Sequence, residues 1–439
     1  MSDAIAPPSQ VRNVVIACLI GSTVEWYEFF IYGTAATLVF STLFFPQFDP
    51  LVGTLLALST FAVAFAARPL GGIVFGQLGD RIGRKGSLVL TLTLMGASTC
   101  AVGLLPTYEA IGVGAPILLI LCRLVQGFSV GGELSGAILM TVEHARDGRR
   151  GFVGAFANSG IGTGLLLANL VFLPITLLPK EDLLAWGWRV PFLASVVLIA
   201  LGLFIRLRIE ESPEFVAARA SGQVRRTPAL DVLREHPGGV TLLGLGTVAG
   251  GVAFYAVAVF SISYGTKVLG LSNSTMVSLV LLSTAVIVVA TPFFGWLGDR
   301  VGHKLVFQAS VVGMIAAPFA WFTLMETRSF GLMFLGYLLV TVPFAANFGA
   351  IPAFFAYVFP PPVRFSGMAI GYNVGTLLGS AIAPIIATWL LSLTGSWVAI
   401  ALYMAGSGVV TLAAATGLRH FRGAPETSRA GAAVPLPSA

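Results

Sequence analysis

Charged residues are scarce in this sequence. Asp, Glu, Lys and Arg together make up 10% of the 439 residues, whereas 56% of the residues are hydrophobic. Since a soluble globular domain is about a quarter charged, this composition excludes an ordinary soluble protein. One crossing of a bilayer needs about 20 apolar residues, so the chain has room for a dozen crossings but not for a large additional soluble domain.

Cysteine and histidine are also scarce. The three cysteines, Cys18, Cys100 and Cys122, all lie in apolar stretches, which favours packing roles over disulfides or metal binding. The four histidines lie in polar connections or near the C-terminus, without the spacing of a zinc or haem site. We therefore expect neither a metal site nor a cofactor.

Twelve apolar segments follow one another along the chain. Each is continuously apolar, without the alternation of a transmembrane β-strand, and a helix satisfies its backbone groups within the segment. The sequence therefore predicts an all-α polytopic membrane protein. The first segment is too long for a signal-peptide core and is predicted to be a membrane helix. The segments lie at about 13–42, 51–75, 87–106, 115–140, 151–176, 187–205, 239–264, 275–297, 305–325, 330–358, 365–392 and 396–418.

Basic residues are distributed unevenly between the two sides of the predicted membrane protein. An even number of spans puts both termini on one side, and most of the 25 Lys and Arg residues fall in connections on that side. By the positive-inside rule, both termini are predicted to be cytoplasmic. The net charge of +6 follows from this topology and gives no reason to expect nucleic acid as a partner. The basic residues on the opposite side are Lys180, Arg189, Lys267 and Arg328.

The longest polar connection divides the chain into two halves of six segments. Its mixed charges favour a solvated tether without chemistry, with a short helix around 214–220 and with Pro228 and Pro237 breaking longer helices. The predicted domains are an N-terminal six-helix bundle at 1–205, a cytoplasmic linker at 206–238, a C-terminal six-helix bundle at 239–418 and a short cytoplasmic tail at 419–439.

A short motif occurs once in each half. Residues 76–85 read GQLGDRIGRK and residues 295–304 read GWLGDRVGHK, each between the second and third segments of its half. Two copies at equivalent places indicate that the halves are structural repeats. The glycines allow tight turns, while Asp80 and Asp299 can accept hydrogen bonds from the positive end of a neighbouring helix.

The duplicated motif resembles the signature of the major facilitator superfamily, whose members fold as two six-helix bundles around a central site. The resemblance covers nearly the whole chain and implies that Asp80 binds the start of helix 11, near Arg364, in the outward-facing state. His303 replaces a basic residue of the full pattern, which would weaken the second contact or make it pH-sensitive. The predicted gating residues are Arg68, Asp80, Arg81, Arg84, Lys85, Asp299, Arg300 and Arg364.

Four further strings narrow the resemblance. They are EWYEFFIYG at 25–33, ARPLGG at 67–72, RLVQGFSVGGE at 123–133 and GWRVPF at 187–192. Together they resemble the metabolite:proton symporter family, whose members carry shikimate, α-ketoglutarate, citrate and other organic acids, or proline and betaine. That family usually has Asp where this chain has Glu28, a difference of one methylene group.

Acidic residues inside the first segment indicate proton coupling independently of the resemblance. Glu25 lies about 18 Å of helix beyond Asn13, near the bilayer midplane, and Glu28 follows on the same face. A charge at this depth costs a few kcal/mol or more, so each carboxyl should face a cavity or a partner. Desolvation favours a protonated carboxyl that releases its proton when a cation or water approaches. The alternative for both residues is a structural hydrogen bond to a neighbouring helix.

Arg123 and Glu133 share the fourth segment but lie about 15 Å apart, too far to pair. Arg123 can bind a carboxylate of the substrate or of a protein Glu. We expect it to hold a Glu when the site is empty and an anionic substrate when loaded, with the freed Glu taking the proton. A fixed structural bridge is the alternative. For Arg68, nearer the cytoplasmic end of its segment, we expect snorkelling or gate stabilisation rather than substrate contact.

The six segments of the second half contain no charged residue within the predicted bounds. That half is therefore expected to contribute neutral hydrogen bonds and aromatic walls to the site. The predicted proton-coupling residues are Glu25, Glu28, Arg123 and Glu133. The predicted substrate-binding residues are Arg123, Glu25, Tyr32, Gln126, Asn158, Tyr255, Asn347, Tyr372 and Asn373.

The sequence thus predicts a proton-coupled symporter that carries a small polar metabolite, an organic acid, by alternating access. Symport of a zwitterionic osmolyte and proton-driven export of drugs or metabolites are alternatives, the former weakened by a tail without heptads. An enzyme or a receptor is least favoured, because no nucleophile, metal cluster or phosphate loop is present. The expected partners are an anionic or zwitterionic small molecule, protons and the bilayer of a bacterial inner membrane, and the chain is expected to be a monomer.

Overall fold

The computed structural model describes residues 8–420 of the chain. Within this range every regular element is a helix, and 12 helices are long and apolar enough to cross a membrane. We number these spans 1 to 12 in chain order. The end of the molecule that carries Arg84, Arg150 and Arg364 is called the basic face.

The first half contains spans 1 to 6. A short helix, Tyr108–Ile111, joins spans 3 and 4. The other helices are Pro8–Ala35, Ala36–Phe40 and Ser41–Phe44 in span 1, Pro50–Ile82 in span 2, Arg84–Leu104 in span 3, Gly114–His144 in span 4, Arg150–Thr176 in span 5, and Lys180–Asp182, Leu183–Gly187 and Arg189–Arg208 in span 6.

The second half contains spans 7 to 12. Its helices are Pro237–Tyr255, Ala256–Phe260 and Ser261–Lys267 in span 7, Asn273–Val301 in span 8, His303–Glu326 in span 9, Phe330–Ala356 in span 10, Pro361–Val363, Arg364–Thr376, Leu377–Ala381 and Ala383–Thr394 in span 11, and Trp397–Gly417 in span 12. Spans 1 and 7 each contain a π-helical turn, Ala36–Phe40 and Ala256–Phe260, at corresponding places. This correspondence agrees with the internal repeat that the motif predicts.

The duplicated motif has the same backbone conformation in both halves. Gly83, between spans 2 and 3, has a φ of 115°, and Gly302, between spans 8 and 9, has a φ of 101°. Other residues avoid this region of φ because the Cβ atom meets the backbone. The glycine therefore allows one span to end and the next to begin without a loop.

The connection between the halves contains two short helices, Pro213–Ala220 and Pro228–Glu235. The first matches the expected helix around 214–220, and the second was not expected. Pro228 and Pro237 start helices, because proline fits the first turn, where its missing N–H has no helical partner to lose.

The two halves meet where span 2 packs on span 11 and span 5 packs on span 8. These contacts are close enough to require glycine. A Cβ atom on Gly295 would lie 2.5 Å from the carbonyl oxygen of Gly151, and one on Gly76 would lie 2.8 Å from the Cα of Ser366. The halves are therefore in backbone contact near the basic face.

Candidate functional site

A cavity lies between the two halves. The empty space between the lining atoms has a volume of about 630 Å³, which includes open solvent at the mouth of the cavity. Spans 1, 2, 4 and 5 line the cavity from the first half, and spans 7, 10 and 11 line it from the second. A site shared by both halves can change when the halves move relative to each other. The lining residues most relevant to its chemistry are Glu25, Trp26, Arg68, Tyr255, Tyr372 and Asn373.

Glu25 and Arg68 bring opposite charges to this cavity. Their exposed fractions are only 3% and 7%, and Oε2 of Glu25 and Nε of Arg68 have no hydrogen-bond partner among residues 8–420. The guanidinium of Arg68 lies 4.3 Å from the centre of the Phe65 ring, a cation–π contact. Because a buried charge without full compensation is unfavourable, both groups are suited to bind charged groups of a ligand. Arg68 was expected to snorkel or to support a gate, and the structure instead places it on the cavity wall.

Aromatic side chains form much of the wall beside these charges. The Trp26 and Phe254 rings are 5.9 Å apart, and the Phe254 and Tyr255 rings are 5.3 Å apart. The Tyr255 hydroxyl is buried and has no hydrogen-bond partner among residues 8–420. The wall can therefore contact an apolar ring or chain while offering one more polar group.

Arg123 lies off the cavity, in a chain of hydrogen bonds inside the first half. Its Nη1 donates to Oε1 of Gln126 at 2.7 Å, and Nε2 of Gln126 donates to Oγ1 of Thr99 at 2.5 Å. Thr99 in turn donates to Oε2 of Glu28 at 2.5 Å. The expected contact between Arg123 and a carboxylate is thus made through two neutral side chains. The Arg123 guanidinium also lies 3.9 Å from the centre of the Tyr32 ring.

Glu133 pairs with Arg206, a partner that the sequence did not indicate. Arg206 was expected in the linker, but span 6 extends to Arg208, and the Arg206 side chain is buried. Arg206 donates from both Nη atoms to the Glu133 carboxylate, and Nη1 also donates to the carbonyl of Leu88 at 2.6 Å. Thr91 donates to Oε2 of Glu133 at 2.6 Å. This buried ion pair has the contacts of a structural clasp, and proton exchange at Glu133 stays a prediction.

Asp80 connects the end of span 2 to the start of span 11. It accepts hydrogen bonds from the backbone N–H groups of Phe365 at 3.2 Å and Ser366 at 2.8 Å. These groups form the positive end of a helix, where a carboxylate is favourable. Arg364, which was predicted to lie near Asp80, directly precedes Phe365 in the sequence, but its side chain contacts other residues. We call this contact the first latch.

The Arg364 side chain lies in a cluster of charges at the basic face. Arg364 pairs with Glu143 at 3.2 Å and with Glu214 of the linker. Arg84 pairs with Asp80 at 3.2 Å and with Glu143 at 3.4 Å. Glu143 on span 4 therefore lies between arginines from both halves, and the cluster joins span 4 to span 11.

Asp299 forms the second latch in the same way. It accepts hydrogen bonds from the backbone N–H groups of Gly151 at 2.7 Å and Phe152 at 2.8 Å, at the start of span 5. His303, which replaces a basic residue of the first motif, has its Nε2 3.2 Å from Oδ1 of Asp299. Both latches close the basic face in this structure.

The remaining predicted gating residues take no part in the latches through their side chains. Arg81 and Arg300 are exposed, and the Arg300 guanidinium lies over the Trp296 ring at 4.1 Å. Nζ of Lys85 donates to the carbonyl of Leu207 at 2.8 Å. These cations line the basic face, as expected for residues that anchor loops outside the membrane.

The start of the linker is bound to the basic face, which corrects the expectation of a solvated tether. Oε1 of Glu211 accepts hydrogen bonds from the backbone nitrogens of Arg84 at 2.9 Å and Lys85 at 3.2 Å, and so caps span 3. The Ser212 hydroxyl donates to Glu143. The linker therefore belongs to the charge cluster that closes this face.

The predicted substrate-binding residues fall into two groups. Those on the cavity wall are Glu25, Tyr255, Tyr372 and Asn373. Those buried elsewhere are Arg123, Tyr32, Gln126, Asn158 and Asn347. Asn158 donates to the carbonyl of Phe348 at 2.7 Å, across the interface of the halves, and Asn347 donates to Ser310 at 3.4 Å. Contact of the second group with a substrate stays a prediction.

Comparisons with known proteins agree on one family. The model of the Major Facilitator Superfamily matches residues 18–373 and 278–437. The shikimate transporter of Escherichia coli (strain K12) is 37% identical, over 90% of this chain and 92% of that protein. The inner membrane metabolite transport protein YhjE of the same organism is 40% identical, over 93% and 94%. Its proline/betaine transporter is 32% identical, over 93% and 83%.

Solved structures show the same fold at lower identity. The proton:xylose symporter XylE bound to 6-bromo-6-deoxy-D-glucose has a TM-score of 0.74 and 20% identity, over 94% of this chain and 96% of that chain. The human organic anion transporter MFSD10 has a TM-score of 0.65 and 17% identity, over 93% and 100%. At these identities the likeness shows the fold alone, and it confirms the predicted arrangement of 12 spans in two six-helix bundles.

Proposed function

Since the chain belongs to the major facilitator superfamily and is thus a transporter rather than an enzyme, we propose that it is a proton-coupled symporter of a small organic acid. The observation that carries this proposal is that Arg68 and Glu25 line one buried cavity between the two halves. Arg68 takes the role of carboxylate binder that the sequence first suggested for Arg123. Relatives that transport shikimate, other metabolites, or proline and betaine support a small polar substrate.

Charge balance in the cavity provides the coupling. With Arg68 charged and Glu25 ionised, the empty cavity is neutral. A bound carboxylate leaves the cavity with a charge of −1 unless Glu25 takes up a proton, and a proton without the anion leaves a charge of +1. Because an uncompensated charge is unfavourable inside a membrane, only the empty form and the form with both ligands cross readily. One proton therefore accompanies each carboxylate.

Glu28 and Arg123 form the second part of the coupling machinery. The chain through Thr99 and Gln126 holds one Glu28 oxygen, whereas Oε1 of Glu28 has no hydrogen-bond partner among residues 8–420. Glu28 is one helical turn from Glu25, so the charge on either residue affects the other. In this scheme Arg123 stabilises the ionised form of Glu28 and favours release of the proton after transport.

Alternating access follows from the latches. The halves rock about the cavity, and the basic face opens when both latches and the charge cluster separate. We propose that the basic face and both termini are cytoplasmic, in a bacterial inner membrane, so that the closed latches correspond to an outward-facing or occluded state. The domain bounds of 1–205, 206–238, 239–418 and 419–439, and a monomeric chain, are parts of the same proposal.

The test is the pH change that a substrate causes in proteoliposomes, measured across a panel of organic acids, betaines and antibiotics. A substrate anion added outside should raise the external pH as protons enter with it. Glu25→Gln and Arg123→Lys should abolish accumulation driven by a proton gradient, and Arg68→Gln should abolish binding of the anion. Arg81→Gln, which changes an exposed cation, is the control. Full proton-driven uptake in Glu25→Gln, Arg123→Lys and Arg68→Gln would overturn the assignment.

Symport of a zwitterion is the second candidate, because aromatic rings line the same cavity as Glu25. A quaternary ammonium group fits between an aromatic wall and a carboxylate, and Trp26 and Phe254 line the cavity. The two candidates differ in net charge. Uptake of an anion with one proton is electroneutral, whereas uptake of a zwitterion with one proton moves a positive charge. Dependence of uptake on membrane potential therefore distinguishes them.

A further inference from the structure

Both amide hydrogens of Asn373 are used within the protein. Nδ2 donates to the carbonyl of Gly131 on span 4 at 2.6 Å and to that of Ala369 on span 11 at 2.7 Å. Rotating the amide by half a turn would place Oδ1 against two carbonyl oxygens, so the surroundings fix its orientation.

The amide oxygen is the free end of this side chain. Asn373 lines the cavity, and its Oδ1 accepts no hydrogen bond from any group of residues 8–420. Unlike a hydroxyl group, this oxygen cannot become a donor, because both hydrogens are already committed. It therefore presents a fixed acceptor to whatever the cavity binds.

The remaining polar groups of the cavity do not satisfy this acceptor. Glu25 and Arg68 each have an atom without a partner among the described residues, at exposed fractions of 3% and 7%. The Tyr255 hydroxyl, also without a partner, can donate or accept. A ligand that placed a methyl group or a lone pair against Asn373 would leave Oδ1 desolvated and unsatisfied, which is unfavourable.

We propose that the substrate carries a hydrogen-bond donor, a hydroxyl or a protonated amine, in addition to its carboxylate, and that Oδ1 of Asn373 selects for it. This inference rests on the proposed function, in which Arg68 binds the carboxylate. Hydroxy acids and amino acids meet both requirements. Unsubstituted carboxylic acids, and betaines whose nitrogen bears no hydrogen, meet only one.

The bond from Asn373 to Gly131 strengthens the selection. Gly131 belongs to the first half, as Arg68 does, so this bond fixes the acceptor relative to the cation while the basic face is closed. A site with fixed polar groups rejects an analogue that lacks the matching donor more strongly than a site that can adapt. We expect a preference of about 10- to 100-fold.

The experiment compares pairs of ligands in which one member lacks the donor. The pairs are proline with N,N-dimethylproline, and a hydroxylated cyclohexanecarboxylate with its deoxy form. Binding to the purified full-length protein is measured as ligand-dependent thermal stabilisation. In the wild-type protein the member with the donor should bind about 10- to 100-fold more tightly. Asn373→Ala should reduce this preference to less than about threefold.

Asn169→Ala is the matched control. It removes an amide on span 5 that donates from Nδ2 to the carbonyl of Leu165 at 2.8 Å, and Asn169 is not among the lining residues of the cavity. The preference should therefore persist in this variant. The comparison of pairs in the wild-type protein needs no variant, so the inference remains testable should Asn373→Ala fail to fold.

The outcomes separate this inference from the proposed function. If both members of each pair bind the wild-type protein equally, and Arg68→Gln weakens both, the proposed function stands and the role of Asn373 is wrong. Loss of the preference in Asn169→Ala to the same extent as in Asn373→Ala would also overturn that role. If no carboxylate binds, or Arg68→Gln has no effect, the proposed function fails and this inference fails with it.

Discussion

Oδ2 of Asp80 lies 2.8 Å from the backbone nitrogen of Ser366, so the end of span 2 holds the first turn of span 11. Asp299 stands in the same relation to Gly151, at 2.7 Å, at the start of span 5. Each carboxylate meets the positive end of a helix from the other half. In the proposed alternating access, both contacts break when the basic face opens.

Asp80→Asn should make opening of the basic face easier by about 1–2 kcal/mol, because the charge at the helix end is lost. Hydrogen exchange measured by mass spectrometry should become faster at the amides of Phe365 and Ser366. Arg81→Gln, an exposed neighbour, should leave that exchange unchanged. Unchanged exchange in Asp80→Asn would show that the first latch does not control this face.

Arg206→Met should destabilise the protein by about 3–5 kcal/mol, because it leaves Glu133 as a buried charge without its partner. The double change Glu133→Gln with Arg206→Met should recover part of this loss. The free energy is followed through thermal unfolding in detergent. Arg208→Met, at an exposed position on the same span, is the control. Equal losses of stability in Arg206→Met and Arg208→Met would contradict a buried clasp.

Gly127→Ala should disrupt the packing of spans 2 and 4 at a cost of about 3 kcal/mol. The added Cβ would lie 2.0 Å from the carbonyl oxygen of Ala64, and backbone cannot move aside as a side chain can. Gly406→Ala, also within a helix but with no atom within 4 Å of the new Cβ, should be neutral or stabilising by up to about 1 kcal/mol. Yield of folded protein and melting temperature measure the contrast.

Thr99→Val should uncouple transport from protons without abolishing binding, because it breaks the hydrogen-bond chain between Gln126 and Glu28. Exchange of substrate across the membrane should persist, while accumulation driven by a proton gradient should fall at least tenfold, the effect of about 1.4 kcal/mol. Thr93→Val on the same span, where the hydroxyl is exposed and bonds only its own helix, should accumulate substrate normally. Equal behaviour of the two valine variants would argue against the chain.

Features that depend on local sequence were predictable. Long apolar segments fix the 12 spans, whereas the contact of Asp80 with the start of span 11 was implied by the family resemblance of the motif at 76–85. The turn of the motif is predictable from its own residues, because Gly83 and Gly302 adopt a positive φ that other residues avoid.

Pairings across the fold were not predictable in the same way. Arg206 stands beside Arg208 at the end of an apolar run, and no local pattern distinguishes the buried arginine from the exposed one. Arg68 and Arg123 both lie in apolar stretches of the sequence. Only the packing of the helices therefore decides that Arg68 lines the cavity. The contacts of Glu211 and Glu214 depend on where the linker returns to the basic face.

The docked start of the linker determines where a rigid fusion partner for electron microscopy can be inserted. An insertion N-terminal to Phe215 would pull Glu211 from the first turn of span 3 and would disturb the ion pairs that hold the bundles together. Between the two linker helices, Ser221, Gly222 and Gln223 are exposed, and Gly222 adopts a φ of 70° in a turn. A loop opened there leaves every latch intact, so the imaged particle would keep the closed basic face.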